Sequence, residues 1–144
     1  MSKNLILLVE DNPDDIELTR RAFRETYPDD QVVNVRDGAD ALDFLFQKGK
    51  HADREGKAHP SLILLDLKLP KIDGLEVLRR IRAAETTRLL PVVVLTSSNE
   101  ERDIRESYEL GANSYIRKPV DFGEFSEVVR RLGNYWLVLN ESPH

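Results

Sequence analysis

Glu10 and Asp11 follow the apolar run at 5–9, and Asp66 follows the run at 62–65. Thr96 follows the run at 92–95, and Lys118 with Pro119 comes just after 114–116. Three carboxylates, a hydroxyl and an ammonium therefore sit at the ends of segments far apart in the chain. If folding gathers them, carboxylates about 5 Å apart repel by roughly 3 kcal/mol per pair at an effective dielectric of about 20. Such a cluster must take up protons or collect a cation. Oxygen ligands without His or Cys suit a hard divalent ion, and a small open site that keeps several waters suits Mg2+ best. Lys118 is then placed to neutralise an oxygen of a transferred phosphoryl group and Thr96 to donate to another, leaving a carboxylate as nucleophile.

Each of these signals is weak alone. A Glu-Asp pair after a strand is ordinarily a solvated loop start, and an isolated Lys-Pro says less still. Their weight comes from coincidence at successive strand ends. Asp14, Asp15, Asp29, Asp30 and Asp73 read as helix-start and turn residues rather than ligands. His51, His59 and His144 have no spacing that builds a metal or catalytic site.

The elements that must position these residues are legible from periodicity. The apolar runs at 5–9, 32–35, 62–65, 92–95 and 114–116 are short, rich in Leu or β-branched residues and end at polar positions, as strands do. Between them, apolar residues recur three or four apart: Ile16, Leu18, Ala22 and Phe23, then Ala41, Leu42 and Leu45, then Leu75, Val77, Leu78 and Ile81. Asn12 and Pro13 suit a helix start, and Gly111 suits the left-handed residue that closes the fourth helix. Strands alternating with helices predict an α/β fold with a doubly wound, five-stranded parallel sheet covered on both faces. In such a sheet the strand carboxyl ends share one edge, where the chemical residues meet.

The 144 residues fit one domain, read here as 1–144, with a long polar loop at about 48–60 and an aromatic-rich C-terminal helix at about 122–139. That helix carries more apolar surface than one packed face needs, so Phe125, Tyr135, Trp136 and Leu139 are candidates for a homodimer surface. A net charge of -5 gives no general field for nucleic acid or anionic membrane, which favours protein partners. No apolar run is long enough for a signal-peptide core or a bilayer span, and cysteine is absent, as a cytoplasmic setting allows.

Leu-Val-Glu-Asp-Asn at 8–12, Leu-Asp-Leu-Lys-Leu-Pro at 65–70, Asp-Gly at 73–74, Val-Leu-Thr-Ser at 94–97 and Lys-Pro at 118–119 resemble the response-regulator receiver family of two-component systems. The resemblance covers nearly the whole chain in order. It implies the flavodoxin-like strand order 2-1-3-4-5, Asp66 as phosphoacceptor, and Mg2+ held by Asp11, Asp66 and the backbone carbonyl of Lys68. Glu10 and Asp11 form the acidic pair, with Glu10 in place of the commoner Asp and therefore expected to ligate through water. Thr96 and Lys118 would contact the phosphoryl group, Thr96 and Tyr115 would form the conformational switch, and the Lys118–Pro119 bond would be cis.

By the same resemblance the chain accepts phosphate from a sensor histidine kinase, signals through protein contacts and catalyses only its own phosphorylation and dephosphorylation. The loop before the third strand, the stretch at 110–120 and the aromatic C-terminal segment are similar to stand-alone regulators paired with bacterial phytochrome kinases. Two other classes use related scaffolds. A Mg2+-dependent phosphohydrolase of the haloacid-dehalogenase type wants an acid two residues after its nucleophile, where this chain has Lys68. A flavin or nucleotide module wants a phosphate loop after the first strand, where Glu10 and Asp11 would repel the ligand.

Overall fold

The computed structural model describes residues 5–26, 31–54, 59–119 and 121–143. Asp29, Asp30 and His144 lie outside them. Among the described residues, five strands and five α-helices alternate: β1 (Leu5–Val9), α1 (Pro13–Thr26), β2 (Gln31–Val35), α2 (Gly38–Phe46), β3 (Leu62–Leu65), α3 (Gly74–Ala83), β4 (Val92–Thr96), α4 (Glu101–Glu109), β5 (Ser114–Arg117) and α5 (Phe122–Gly133). All strand pairs are parallel, in the order β2-β1-β3-β4-β5.

The continuous apolar runs follow from burial on both sheet faces, because side chains alternate along a strand. Leu7 and Val9 of β1, with Ile63 and Leu65 of β3, pack against Ala41, Leu42 and Leu45 of α2 and Val77, Leu78 and Ile81 of α3. Ile6 and Leu8, with Leu62 and Leu64, turn to the other face and meet Ala22 and Phe23 of α1 and Phe125, Val129 and Leu132 of α5. A register slip of one residue would exchange these sets, so the pairing of β1 with β3, Ile6 opposite Leu62, is strongly specified.

Four of the five helix starts, all but that of α4, are set by short acidic and amide side chains. Asn12 Oδ1 accepts from the Asp14 amide at 2.9 Å, with Pro13 at the first helical position. Asp37, Asp73 and Asp121 cap α2, α3 and α5 in the same way. Gly111 has φ +100°, the left-handed conformation expected after α4.

Two stretches differ from the sequence-based expectation. Within the predicted loop at 48–60, Gly49–Arg54 forms a short 3-10 helix. His51 fastens it, with Nε2 2.8 Å from Asp40 Oδ1 and its ring edge-on to Phe44. These contacts come from α2, beyond what local propensity can signal. At the other end, α5 stops at Gly133 and the chain continues as a π-helical turn, Asn134–Leu139.

That C-terminal segment corrects one predicted dimer residue. Phe125 is buried in the core beside Val129 and Leu132, because its position four and seven residues before them puts it on the sheet-facing stripe of α5. Trp136 is partly buried against the same cluster, whereas Tyr135 and Leu139 are exposed. Among the described residues no helix is long and apolar enough to cross a membrane.

Candidate functional site

The carboxyl edge of the sheet gathers residues from β1, β3 and β5. Lys118 Nζ lies 2.6 Å from Glu10 Oε1 and 3.2 Å from Asp66 Oδ2. It also lies 2.8 Å from Asp15 Oδ2, on the first turn of α1. Glu10 and Asp66 are buried, and the Lys118 side chain is only 9% exposed, so this network sits where water screens it little.

The backbone fixes each participant. The Asp66 amide donates to the Val9 carbonyl at 3.1 Å, which continues the β1–β3 ladder to the nucleophile candidate. The Lys118 amide donates to the Thr96 carbonyl at 2.7 Å, tying the end of β5 to the end of β4. Glu10 Oε2 accepts the Asn12 amide at 3.1 Å, so both carboxylate oxygens of Glu10 have partners. Gly74 lets the start of α3 lie against this edge. A Cβ there would stand 2.6 Å from Leu67 Cα and collide with the Asp66 carbonyl.

Burial pushes the Glu10 carboxyl up to about 7, opposed by the hydrogen bond and charge of Lys118 and reinforced by the charge of Asp66. Burial disfavours the Lys118 ammonium, yet its hydrogen bonds to Asp15 and Glu10 outweigh that penalty and hold its pKa above the ordinary lysine value. The lysine is therefore the permanent charge of the site, and Glu10 is the group that titrates near neutrality.

Glu10, Asp11 and Asp66 each offer one carboxylate oxygen, all within 4.8 Å of one another. This all-oxygen set fits a hard divalent cation. Such an ion would also relieve the repulsion between Glu10 and Asp66. Asp11 and Lys68 line one open cleft beside the cluster, with Leu67, Pro70 and Asp73. The Lys68 amide points at Asp66 Oδ1, 3.4 Å away.

Thr96 is buried at the end of β4, and its hydroxyl accepts a long bond from the Ser98 amide at 3.4 Å. Tyr115 donates its hydroxyl to the Ser98 carbonyl at 2.8 Å, reaching from β5 to the segment between β4 and α4. Ser98 Oγ in turn donates to Asp103 Oδ2 of α4 at 2.6 Å. The two predicted switch residues thus meet at one backbone segment.

The structure corrects two expectations about the site. The Lys118–Pro119 bond is not cis, since no cis peptide occurs among the described residues. The ammonium converges on the site all the same, because a four-carbon stem supplies the reach and three carboxylates supply the attraction. Asp15, which by sequence is only a helix-start residue, also pairs with Lys118. The signal that could have found it is its place in the first turn, where side chains point back toward the helix N-terminus and so over the end of β1.

Sequence and structure comparisons show what the whole chain is similar to. Response regulator Rcp1 of Synechocystis sp. is 40% identical over 133 residues, covering 92% of this chain and 88% of that protein. The crystal structure of the Mn2+-bound form of Rcp1 superposes with a TM-score of 0.89 at 38% identity, covering 98% of this chain and 99% of that one. The phosphorylated cyanobacterial phytochrome response regulator RcpA superposes with a TM-score of 0.93 at 40% identity, over 99% of this chain and 100% of that one. The sequence profile of the response regulator receiver domain matches residues 6–130. From that match and those relatives, the chain belongs to the response regulator receiver family and works in phosphorelay signalling.

Proposed function

We propose that Asp66 accepts the phosphoryl group of a phosphohistidine on a sensor histidine kinase, with Mg2+ as the metal and a phytochrome-type kinase as the donor. The observation that carries this reading is the convergence of Lys118 on both Asp66 and Glu10 beside a triad of carboxylate oxygens within 4.8 Å. An Asp66 oxygen forms the new P–O bond as the P–N bond of the phosphohistidine breaks, and the imidazole nitrogen departs with the electron pair. Glu10, Asp11, Asp66 and the Lys68 carbonyl are the groups that would hold the ion. When bound, Mg2+ supplies charge neutralisation for the phosphoryl oxygens. Lys118 faces one of those oxygens and Thr96 donates to another, which draws on Tyr115 through the shared segment at Ser98.

The phytochrome-type partner is supported by the likeness to Rcp1 and RcpA and by the aromatic C-terminal turn. We assign the chain no turnover beyond its own phosphorylation and dephosphorylation, and a cytoplasmic location consistent with the absence of cysteine. Tyr135 and Leu139, exposed beside the partly buried Trp136, are the residues we assign to a homodimer contact.

The test is phosphorylation by acetyl phosphate with Mg2+, followed by transfer from candidate phytochrome kinases. Wild-type protein should gain one phosphoryl mass on Asp66. Persistent labelling of Asp66→Asn would refute the assignment of the acceptor, and failure of every phytochrome kinase to transfer would refute the assignment of the donor. Sedimentation with and without beryllofluoride measures the dimer, which a concentration-independent monomer mass would exclude.

A further inference from the structure

The Lys118 ammonium has three N–H donors, and the structure directs all three at carboxylates: Glu10, Asp15 and Asp66. Two of those carboxylates have other duties in the phosphorelay site. Glu10 and Asp66 both belong to the triad of oxygens that can hold a cation, and Asp66 is the group to be phosphorylated. Asp15 is outside that triad. Once a cation draws on Glu10 and Asp66, Asp15 is the carboxylate left to hold the lysine.

Asp15 is well built for that task. It is carried by the first turn of α1, an element separate from the strand ends that carry Glu10 and Asp66, and lies 2.8 Å from the ammonium. Its own backbone is tied at both polar groups: the amide to Asn12 Oδ1 at 3.5 Å, and the carbonyl to the Thr19 hydroxyl at 2.7 Å. A lysine has a flexible stem and freely rotating donors, so an ammonium without such a tether spreads over many positions. Transfer to Asp66 needs that charge at one place, within reach of a phosphoryl oxygen.

We infer that Asp15 is a positioning residue for phosphoryl transfer, anchoring the Lys118 ammonium from α1 while Glu10 and Asp66 are engaged with the metal and the phosphoryl group. The inference rests on the reading of Asp66 as acceptor. Asp15 touches neither the metal oxygens nor the reacting atoms and acts through Lys118 alone.

The experiment is a double-mutant cycle on the full chain, scored by the rate of Asp66 phosphorylation from acetyl phosphate across a Mg2+ titration. Losing one charge-assisted hydrogen bond to a buried ammonium should slow Asp15→Asn about tenfold at saturating Mg2+. The apparent Mg2+ affinity should change less than about threefold, and Asp15→Glu should recover most of the rate. In a Lys118→Gln background the Asp15→Asn substitution should add less than about twofold.

A readout apart from activity is the 15N signal of the Lys118 ammonium in metal-free protein, which should move and broaden in Asp15→Asn and return toward the wild-type position in Asp15→Glu. A wild-type rate in Asp15→Asn would overturn the inference. Full recovery with excess Mg2+ would also overturn it, since that marks a simple charge effect on metal binding. So would an equal slowing in the Lys118→Gln background. Failure of wild-type protein to label at all would instead strike the acceptor assignment, so the two failures are distinguishable.

Discussion

The hydroxyl of Tyr115 donates to the backbone carbonyl of Ser98 at 2.8 Å, and the Ser98 side chain hands the connection on to Asp103 in the first turn of α4. One edge strand is thereby joined to the helix that follows its neighbour. The Ser98 amide also faces the Thr96 hydroxyl, so under the proposed phosphorylation a shift of Thr96 would be felt at the same residue that holds Tyr115.

Tyr115→Phe removes this bond while keeping the ring. The cost should be about 0.5–1.5 kcal/mol in urea denaturation, the usual net value of one hydrogen bond. Amide exchange at Ser98 and Glu100 should quicken, while exchange in β1 should not change. Unaltered exchange around Ser98 would show that the tyrosine does not hold this segment.

Glu10 makes the metal-free protein sensitive to pH. Its carboxyl is raised from 4.5 to about 7, first by burial, so the folded state binds a proton that the unfolded state has already released. The corresponding stability is fully present below about 4.5 and is lost as pH rises through about 7. A divalent cation held through Glu10 would compete with that proton, so under the proposed Mg2+ binding its affinity should fall by about tenfold per pH unit below the folded pKa. Glu10→Gln should flatten both dependences in calorimetric titrations from about pH 5 to about pH 8.

Gly74→Ala places a methyl group against the Asp66 carbonyl and Leu67 Cα, neither of which is a flexible side chain. The resulting shift should destabilise the fold by about 1–3 kcal/mol and slow labelling of Asp66 as well. Gly111→Ala is a useful contrast: strained by φ +100° and set against Arg82 rather than the carboxylates, it should cost stability with little change in labelling of the remaining folded protein.

The C-terminal aromatic residues should separate into two classes. Phe125→Ala leaves a cavity between α5 and the sheet and should cost about 3–5 kcal/mol. Tyr135→Ala and Leu139→Ser change exposed side chains and should alter protomer stability by no more than about 0.5 kcal/mol. Their effect should appear instead as weaker self-association in sedimentation. Equal loss of stability in all three would place them in one packed core.

The five βα units and the main site were legible in the order of residues along the chain, for a topological reason. Parallel strands deliver their last residues to one edge, so the positions just after each apolar run were enough to bring Glu10, Asp66 and Lys118 together. The strand order came from likeness to the receiver family, and the pairing of β1 with both β2 and β3 agrees with it. Packing in three dimensions was needed for everything that depends on side-chain direction and on contacts between distant elements. Asp15 reads locally as a helix-start acid, and its bond to Lys118 exists because α1 begins over the carboxyl edge of the sheet. Phe125 looks like surplus apolar surface until the sheet covers it, and the polar stretch after α2 becomes helical because Asp40 and Phe44 hold His51. The conformation of the Lys118–Pro119 bond was likewise beyond sequence reading, since a long lysine stem can reach the same carboxylates from more than one backbone path. Periodicity carries the position of backbone segments, whereas the partner of a side chain is settled only when those segments are packed together.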